Sequence, residues 1–284
     1  GSSLFKQRLI TALILAPLMI GGIFFLPIEQ FAYFIGFIVT VAAWEWANLS
    51  GYCSSVVRIG YAGSVAASTF LVAYFMDQHA ELSSIILAIG AIWWFVACLL
   101  VVQYPKKVAL WQAKPVRALL GFLVLLPMWV GFMTLKSQEH SSLIIVYVML
   151  LIWGADTGAY FAGKTWGKSK LAPNVSPGKS WAGFWGGLAT TGLIAIIFSL
   201  LVNQWLRPVT MDDFLLLAAI TFITAIMSVM GDLVESMMKR HRGIKDSSQL
   251  LPGHGGVLDR IDSMAAAVPV FAFLMILFGW QLAA

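Results

Sequence analysis

Nine stretches of the chain are nearly free of charge and long enough to cross a bilayer. They cover residues 9–27, 30–50, 59–76, 82–103, 116–135, 142–163, 181–202, 212–238 and 263–282. A hydrocarbon core takes about 20 apolar residues per helical span. Apolar positions run on within each stretch rather than alternating with polar ones, which excludes the strands of an outer-membrane barrel. The first stretch follows Lys6 and Arg8 yet continues as a full span, which argues against a cleaved signal peptide. The pattern predicts an all-α, polytopic integral membrane protein of about nine transmembrane helices. Residues 1–135 read as an N-terminal scaffold of five helices. Residues 136–284 read as a catalytic region of four helices with two polar loops, 164–180 and 239–262. No internal repeat of fixed period is found, which weakens a transporter built on inverted halves.

Composition sharpens this picture. The chain is 60% apolar and 11% charged, against about 25% charged in soluble domains, so a soluble globular protein is excluded. Lys+Arg number 18 and the net charge is +5. In a membrane protein this excess is a statement about topology before it is one about nucleic acid, and no nucleic-acid partner is expected. Placing the N-terminus in the cytoplasm puts sixteen cations on that side: Lys6, Arg8, Arg58, Lys106, Lys107, Lys114, Arg117, Lys164, Lys168, Lys170, Lys179, Lys239, Arg240, Arg242, Lys245 and Arg260. Only Lys136 and Arg207 fall outside, which is the positive-inside asymmetry. The C-terminus is then expected outside. Cys53 and Cys98 lack motif spacing and read as packing residues. Trp111, Trp181, Trp205 and Trp280, near predicted span ends, suit interfacial anchoring and packing. Glu45, in Trp44-Glu45-Trp46, sits near a span end and is expected to reach water.

Candidate chemistry concentrates in the second half. From Met230 to Ser263 the chain reads MGDLVESMMKRHRGIKDSSQLLPGHGGVLDRIDS. Asp232, Glu235 and Lys239 stand at i, i+3 and i+7, on one face of a helix leaving the membrane. Asp259 and Asp262 share a face at the start of the last span. Between them lie Arg240, Arg242, Lys245 and Asp246, then a Pro252-Gly253-His254-Gly255-Gly256 turn able to bring backbone N–H groups to a phosphate. Hard carboxylate oxygens suit Mg²⁺, which binds one or two protein carboxylates together with substrate phosphates. Acids, cations and a glycine turn together describe metal-assisted phosphoryl or nucleotidyl transfer. Topology explains the cations singly, but not five acids where orientation requires none.

A second segment repeats the theme. Asp156 lies in Trp153-Gly154-Ala155-Asp156-Thr157-Gly158-Ala159-Tyr160, and Ser176-Pro177-Gly178-Lys179-Ser180 precedes span seven. The Gly-Lys-Ser echoes a P-loop, but Pro173 stands where the first glycine belongs, so it is not one. Gly154, Gly158, Gly183, Gly186 and Gly187 are accounted for by close helix packing. Asp156 and Lys179 are read as functional.

At these residues the sequence resembles the phosphatidate cytidylyltransferases, or CDP-diacylglycerol synthases, of the bacterial type. The signature S-x-apolar-K-R, four residues, K-D, spacer, P-x-H-G-G, D-R-x-D is met without a gap from Ser236 through Lys239-Arg240, Lys245-Asp246, Pro252 to Gly256 and Asp259-Arg260 to Asp262. The resemblance implies transfer of CMP from CTP to phosphatidate at the cytoplasmic face of the bacterial inner membrane, by a homodimer embedded in the lipid bilayer. It implies Mg²⁺ as divalent metal with K⁺ as a second cation. Asp232 and Asp259 become the principal metal ligands, with Glu235, Asp246 and Asp262 beside them. Lys179, Lys239 and Arg240 join the two ligand acids as catalytic groups. Substrate contacts fall to Asp156, Ser176, Lys179, Lys239, Arg240, Lys245, His254, Gly255, Gly256 and Arg260. His254 reads as a phosphate donor or turn residue rather than a general acid. Two alternatives stay open: a CTP-dependent polyprenol or phytol kinase, and a transporter using intramembrane acids.

Overall fold

The computed structural model describes residues 2–283, leaving Gly1 and Ala284 outside the described residues. The chain folds as α1 (Ser2–Phe24), α2 (Ile28–Leu49), α3 (Ser55–Gln78), α4 (Leu82–Gln103), α5 (Lys114–Lys136), α6 (Ser141–Trp166), β1 (Lys170–Ala172), β2 (Ser176–Ser180), α7 (Trp181–Trp205), α8 (Met211–Arg242) and α9 (Leu258–Phe278). Among the described residues nine helices are long and apolar enough to cross a membrane. Helices are the expected answer, because a span in lipid must satisfy its own backbone hydrogen bonds. The caps follow local chemistry. Ser180 Oγ accepts from Gly183 N at 3.1 Å to start α7, and Thr210 Oγ1 accepts from Asp213 N to start α8. Gly243, at φ +80°, closes α8 in the left-handed region.

Three boundaries differ from expectation, and each matters for the site. Helix α8 runs through Arg242, so Arg240 and Arg242 join Lys239 on its last turns rather than standing in a loop. Its 32 residues span about 48 Å, against about 30 Å of hydrocarbon, so the helix is longer than an upright span requires. Helix α9 begins at Leu258, which places Asp259 and Asp262 inside its first turns. The 164–180 segment is not all loop: β1 and β2 pair antiparallel, Lys170 opposite Ser180 and Ala172 opposite Ser176. The architecture is therefore helical with one small hairpin.

Helix α9 forms the bundle's axis, packed against α4, α5 and α8. Val268, Phe271 and Ala272 are fully buried there. The scaffold half and the catalytic half thus share one core. Two tryptophans are not interfacial: Trp111 packs on His241 at 5.0 Å and Trp280 on Phe271, both buried. Trp181 and Trp205 are exposed, as an anchor must be. Cys98 packs beside Met227, whereas Cys53 is exposed and touches Arg242. The bundle ends are chemically unequal. Contacts of Arg8 with Gly253, Arg58 with Trp44, Arg117 with Leu49 and Arg242 with Asn48 lie at one end. Lys136 meets Ile23, and Arg207 meets Asp213 and Leu282, at the other.

Candidate active site

A cavity of about 850 Å³ opens at the cation-rich end, within the size range of small-molecule sites. Helix α6 lines it with Asp156, Tyr160 and Lys164, and the β2–α7 junction with Gly178, Lys179 and Phe184. Helix α8 contributes Asp232 and Lys239, α9 contributes Asp259, Arg260 and Asp262, and the intervening loop contributes Asp246.

Helical spacing brings Asp232, Glu235 and Lys239 to one face of α8. Lys239 Nζ lies 3.0 Å from Asp259 Oδ1 and 3.2 Å from Glu235 Oε1, so it ties α8 to α9. The contact with Glu235 is an ion pair without hydrogen-bond geometry, and neither oxygen of that buried carboxylate has a hydrogen-bond partner. Lys179 reaches from β2 to within 2.7 Å of Asp232 Oδ2, while Ser236 Oγ donates to Asp232 Oδ1 at 3.3 Å. Burial alone would lower the Lys179 pKa. The charge and hydrogen bond of Asp232, with the charges of Asp156 and Asp262, outweigh burial and hold it above its ordinary value. Lys179 is therefore a fixed cation across the physiological range.

Asp259 is held differently. Its Oδ2 accepts from Ser247 N at 2.9 Å, Ser247 Oγ at 3.0 Å and Gly256 N at 2.8 Å. With Lys239 on Oδ1, the carboxylate accepts four hydrogen bonds. Gly255, at φ +86°, is required here: a Cβ would stand 2.9 Å from Asp259 Oδ2 and 3.1 Å from Asp246 Oδ1. Glu45 does not reach water as expected. It is fully buried, and its Oε1 and Oε2 accept from Leu258 N at 2.6 Å and Val257 N at 2.9 Å, while Ser248 Oγ donates to the same carboxylate.

Of the residues singled out in the sequence, Asp156, Lys179, Asp232, Lys239, Asp246, Asp259, Arg260 and Asp262 converge on the cavity. Glu235 stands directly behind Lys239. Ser176, Arg240, Lys245, His254, Gly255 and Gly256 lie outside the lining. Arg240 and Lys245 are exposed, and His254 faces its own turn with Nδ1 at 3.5 Å from Pro252 O. The two glycines serve the loop that Asp259 gathers. Sequence reasoning missed Ser247 and Ser248, whose hydroxyls bind the two buried acids, as well as Lys164 and Tyr160 on the cavity wall. A pair of serines directly after Lys245-Asp246 was the available signal.

The donor set fits a divalent metal. Four carboxylates, Asp232, Glu235, Asp259 and Asp262, meet two ammonium groups, Lys179 and Lys239, and the two buried oxygens of Glu235 have no hydrogen-bond donor, Oε1 having only its ion pair with Lys239. Such an excess of hard oxygen donors calls for a cation. Among the described residues no three of these groups converge as a ready ligand set.

Comparison with known proteins places the chain in a family. Residues 6–278 match the sequence model of the Cytidylyltransferase family. The chain is 47% identical over 276 residues to a phosphatidate cytidylyltransferase of Pseudomonas aeruginosa, covering 97% of this chain and 98% of the relative. It is 39% identical over 289 residues to the Haemophilus influenzae phosphatidate cytidylyltransferase, with 94% and 97% covered. A Bacillus subtilis enzyme of the same name aligns at 39% over 165 residues, 56% of this chain. A match over nearly the full length, with the carboxylate–lysine cavity inside it, shows that this chain belongs to the cytidylyltransferase family.

Proposed function

We propose that the protein transfers CMP from CTP to phosphatidate, giving CDP-diacylglycerol and pyrophosphate. The observation that carries this reading is the cavity at the C-terminal part of α8, where four carboxylates and two lysines meet. A phosphatidate oxygen attacks the α-phosphorus of CTP. A P–O–P bond forms to the lipid phosphate, and the bond to the β-phosphate oxygen breaks, releasing pyrophosphate. The nucleophile is a phosphate monoester, already anionic at neutral pH, so no side chain has to remove a proton. The difficulty is repulsion between two polyanions and charge on the leaving group. Lys179, Lys239 and Arg260 line the cavity and address both, by binding phosphate oxygens and stabilising the charge that develops.

Asp232, Asp259, Glu235 and Asp262 would hold Mg²⁺, with Asp246 at the cavity edge. Bound Mg²⁺ supplies neutralisation of the polyphosphate and polarises phosphorus. Asp259 keeps a free lone pair only on Oδ1, since three donors occupy Oδ2. K⁺ as a second cation and a homodimer belong to the same reading, supported by the resemblance.

Orientation is part of the proposal: N-terminus in the cytoplasm, C-terminus outside, in a bacterial inner membrane. The gathering of cations at one bundle end supports it. A reporter fused after Ala284 is expected to read non-cytoplasmic, and one in the 104–115 loop cytoplasmic. The opposite reading at either position overturns the orientation.

The reaction is tested with purified protein in mixed micelles, phosphatidate, and CTP labelled in either its α- or its γ-phosphate. α-Label is expected in the lipid, with γ-label in released pyrophosphate. γ-Label in lipid would instead identify a kinase.

A further inference from the structure

Glu45 is a fully buried acid in the scaffold half that the reaction chemistry above does not use. Its surroundings give it one. Helix α9 starts at Leu258 after Val257, which offers no side-chain cap, so the first N–H groups of the helix lack partners of their own. Glu45 supplies them from α2, across 213 positions of sequence. Its carboxylate accepts from the N–H groups of both Val257 and Leu258 and from Ser248 Oγ. The adjacent Ser247 gives its N–H and hydroxyl to Asp259 instead. Two buried carboxylates thus grip the 247–258 segment from opposite sides, one fixed to the scaffold and one belonging to the cavity. Gly256 lies between them, where a Cβ would meet both Ser247 Oγ and Glu45 Oε2.

The end of α2 that carries Glu45 is itself anchored. Arg117 Nη1 donates to Leu49 O at 2.9 Å and Arg242 Nε to Asn48 O at 2.8 Å. Trp46 Nε1 donates to Arg117 O at 2.8 Å. Cations from α5 and α8 therefore hold the C-terminal carbonyls of α2, where the helix dipole favours them. Glu45 in turn places negative charge at the N-terminus of α9, where the dipole favours it.

We infer that Glu45 is a positioning residue for the cytidylyl transfer: by capping α9 from the scaffold, it fixes where Asp259 stands in the cavity. The inference rests on the proposed function only for its kinetic arm. Hydrogen bonds that orient a metal-site carboxylate typically carry about 10–100-fold of activity. Glu45→Gln keeps the size but turns an NH₂ toward N–H and O–H donors. It is expected to lower kcat by about tenfold or more while KM for CTP stays within about twofold, because Asp259 is misplaced without loss of the phosphate-binding lysines.

Rates are measured in mixed micelles well below the unfolding temperature of each variant, on monodisperse protein. Ser248→Ala removes one donor and leaves the charge doubly capped. A drop in kcat of about threefold is expected, with a modest fall in melting temperature from the lost hydrogen bond. Hydrogen exchange on the wild-type full chain gives an arm independent of catalysis. The Val257 and Leu258 amides should be protected like the interior of α9, stay protected in Ser248→Ala, and be deprotected selectively in Glu45→Gln or, if that variant does not fold, in Glu45→Asp, whose shorter side chain falls short of them. Normal kcat in a folded Glu45→Gln variant, or fast exchange of those amides in wild type, overturns the inference. An inactive wild type whose amides are protected would refute the transferase reading and leave the cap standing.

Discussion

On the α6–α7 side of the cavity a run of glycines lets two backbones touch, whereas on the α8–α9 side a single glycine, Gly231 against the Asp262 backbone, does so and charged side chains make the other ties. A Cβ at Gly183 would stand 2.8 Å from Ala159 O, one at Gly187 2.8 Å from Ala155 O, and one at Gly186 2.9 Å from Gly158 O. Such small-residue seams drive helix association in lipid, where burying apolar surface gives no advantage. The opposite wall is held by Lys239, Asp259 and Glu45, each spanning elements through charged hydrogen bonds. The α6–α7 wall should therefore respond to volume, and the α8–α9 wall to charge everywhere but at Gly231. Lys179–Asp232 is the contact that joins them.

The largest effect belongs to the charged wall. Asp232→Asn and Asp259→Asn are each expected to lower turnover about 10³-fold while the protein stays folded in detergent. Near-normal rates at limiting Mg²⁺ in either variant would remove these acids from the site. Gly187→Val attacks the other wall. The branched side chain meets the Ala155 backbone, which cannot give way, so a loss of about 1–3 kcal/mol in unfolding free energy is expected. Gly187→Val with wild-type stability would mean that the seam does not set the α6–α7 distance.

Charge-conserving swaps come next, because they separate phosphate clamps from topology signals. Lys179→Arg and Lys239→Arg keep the charge but replace a compact ammonium by a planar fork. A fall of about tenfold in kcat/KM, or about 1.4 kcal/mol, is expected for each. Arg240→Lys and Lys106→Arg, both at exposed positions, should change rates by less than about twofold, since there charge alone counts. Equal responses in both groups would return Lys179 and Lys239 to topology. The smallest effect is a control far from either wall. Nothing lies within 4 Å of a Cβ built on Gly63 of α3, so Gly63→Ala should stabilise by no more than about 1 kcal/mol without touching activity.

The spans were legible because lipid tolerates so few alternatives: an apolar run of the right length has to be a helix. The α8 face was legible from spacing, and the same spacing argues against treating Lys239 and Arg240 alike. Consecutive helical residues point about 100° apart, so only one of the pair joins Asp232 and Glu235, and it is Lys239. The β1–β2 hairpin was hidden, because Pro173, Pro177 and Gly178 read as loop and the segment has no apolar alternation. Glu45 was unreadable for a different reason. Nothing in a local window marks an acid as the cap of a helix more than two hundred residues away, and its nearness to a span end suggested water instead.

The reach of Glu45 to Leu258, 213 positions, has a consequence for how the protein is made. At about 5–20 residues per second, roughly 10–40 s of synthesis separate the acid from the amides that receive it. Throughout that interval every nascent chain holds Glu45 without its donors and lacks Asp259 altogether. The cavity cannot be completed until the last helix has left the ribosome and slotted between α4, α5 and α8. Competence to handle nucleotide is in this sense a late event of biogenesis, because a chain that stops short of α9 lacks Asp259, Arg260 and Asp262.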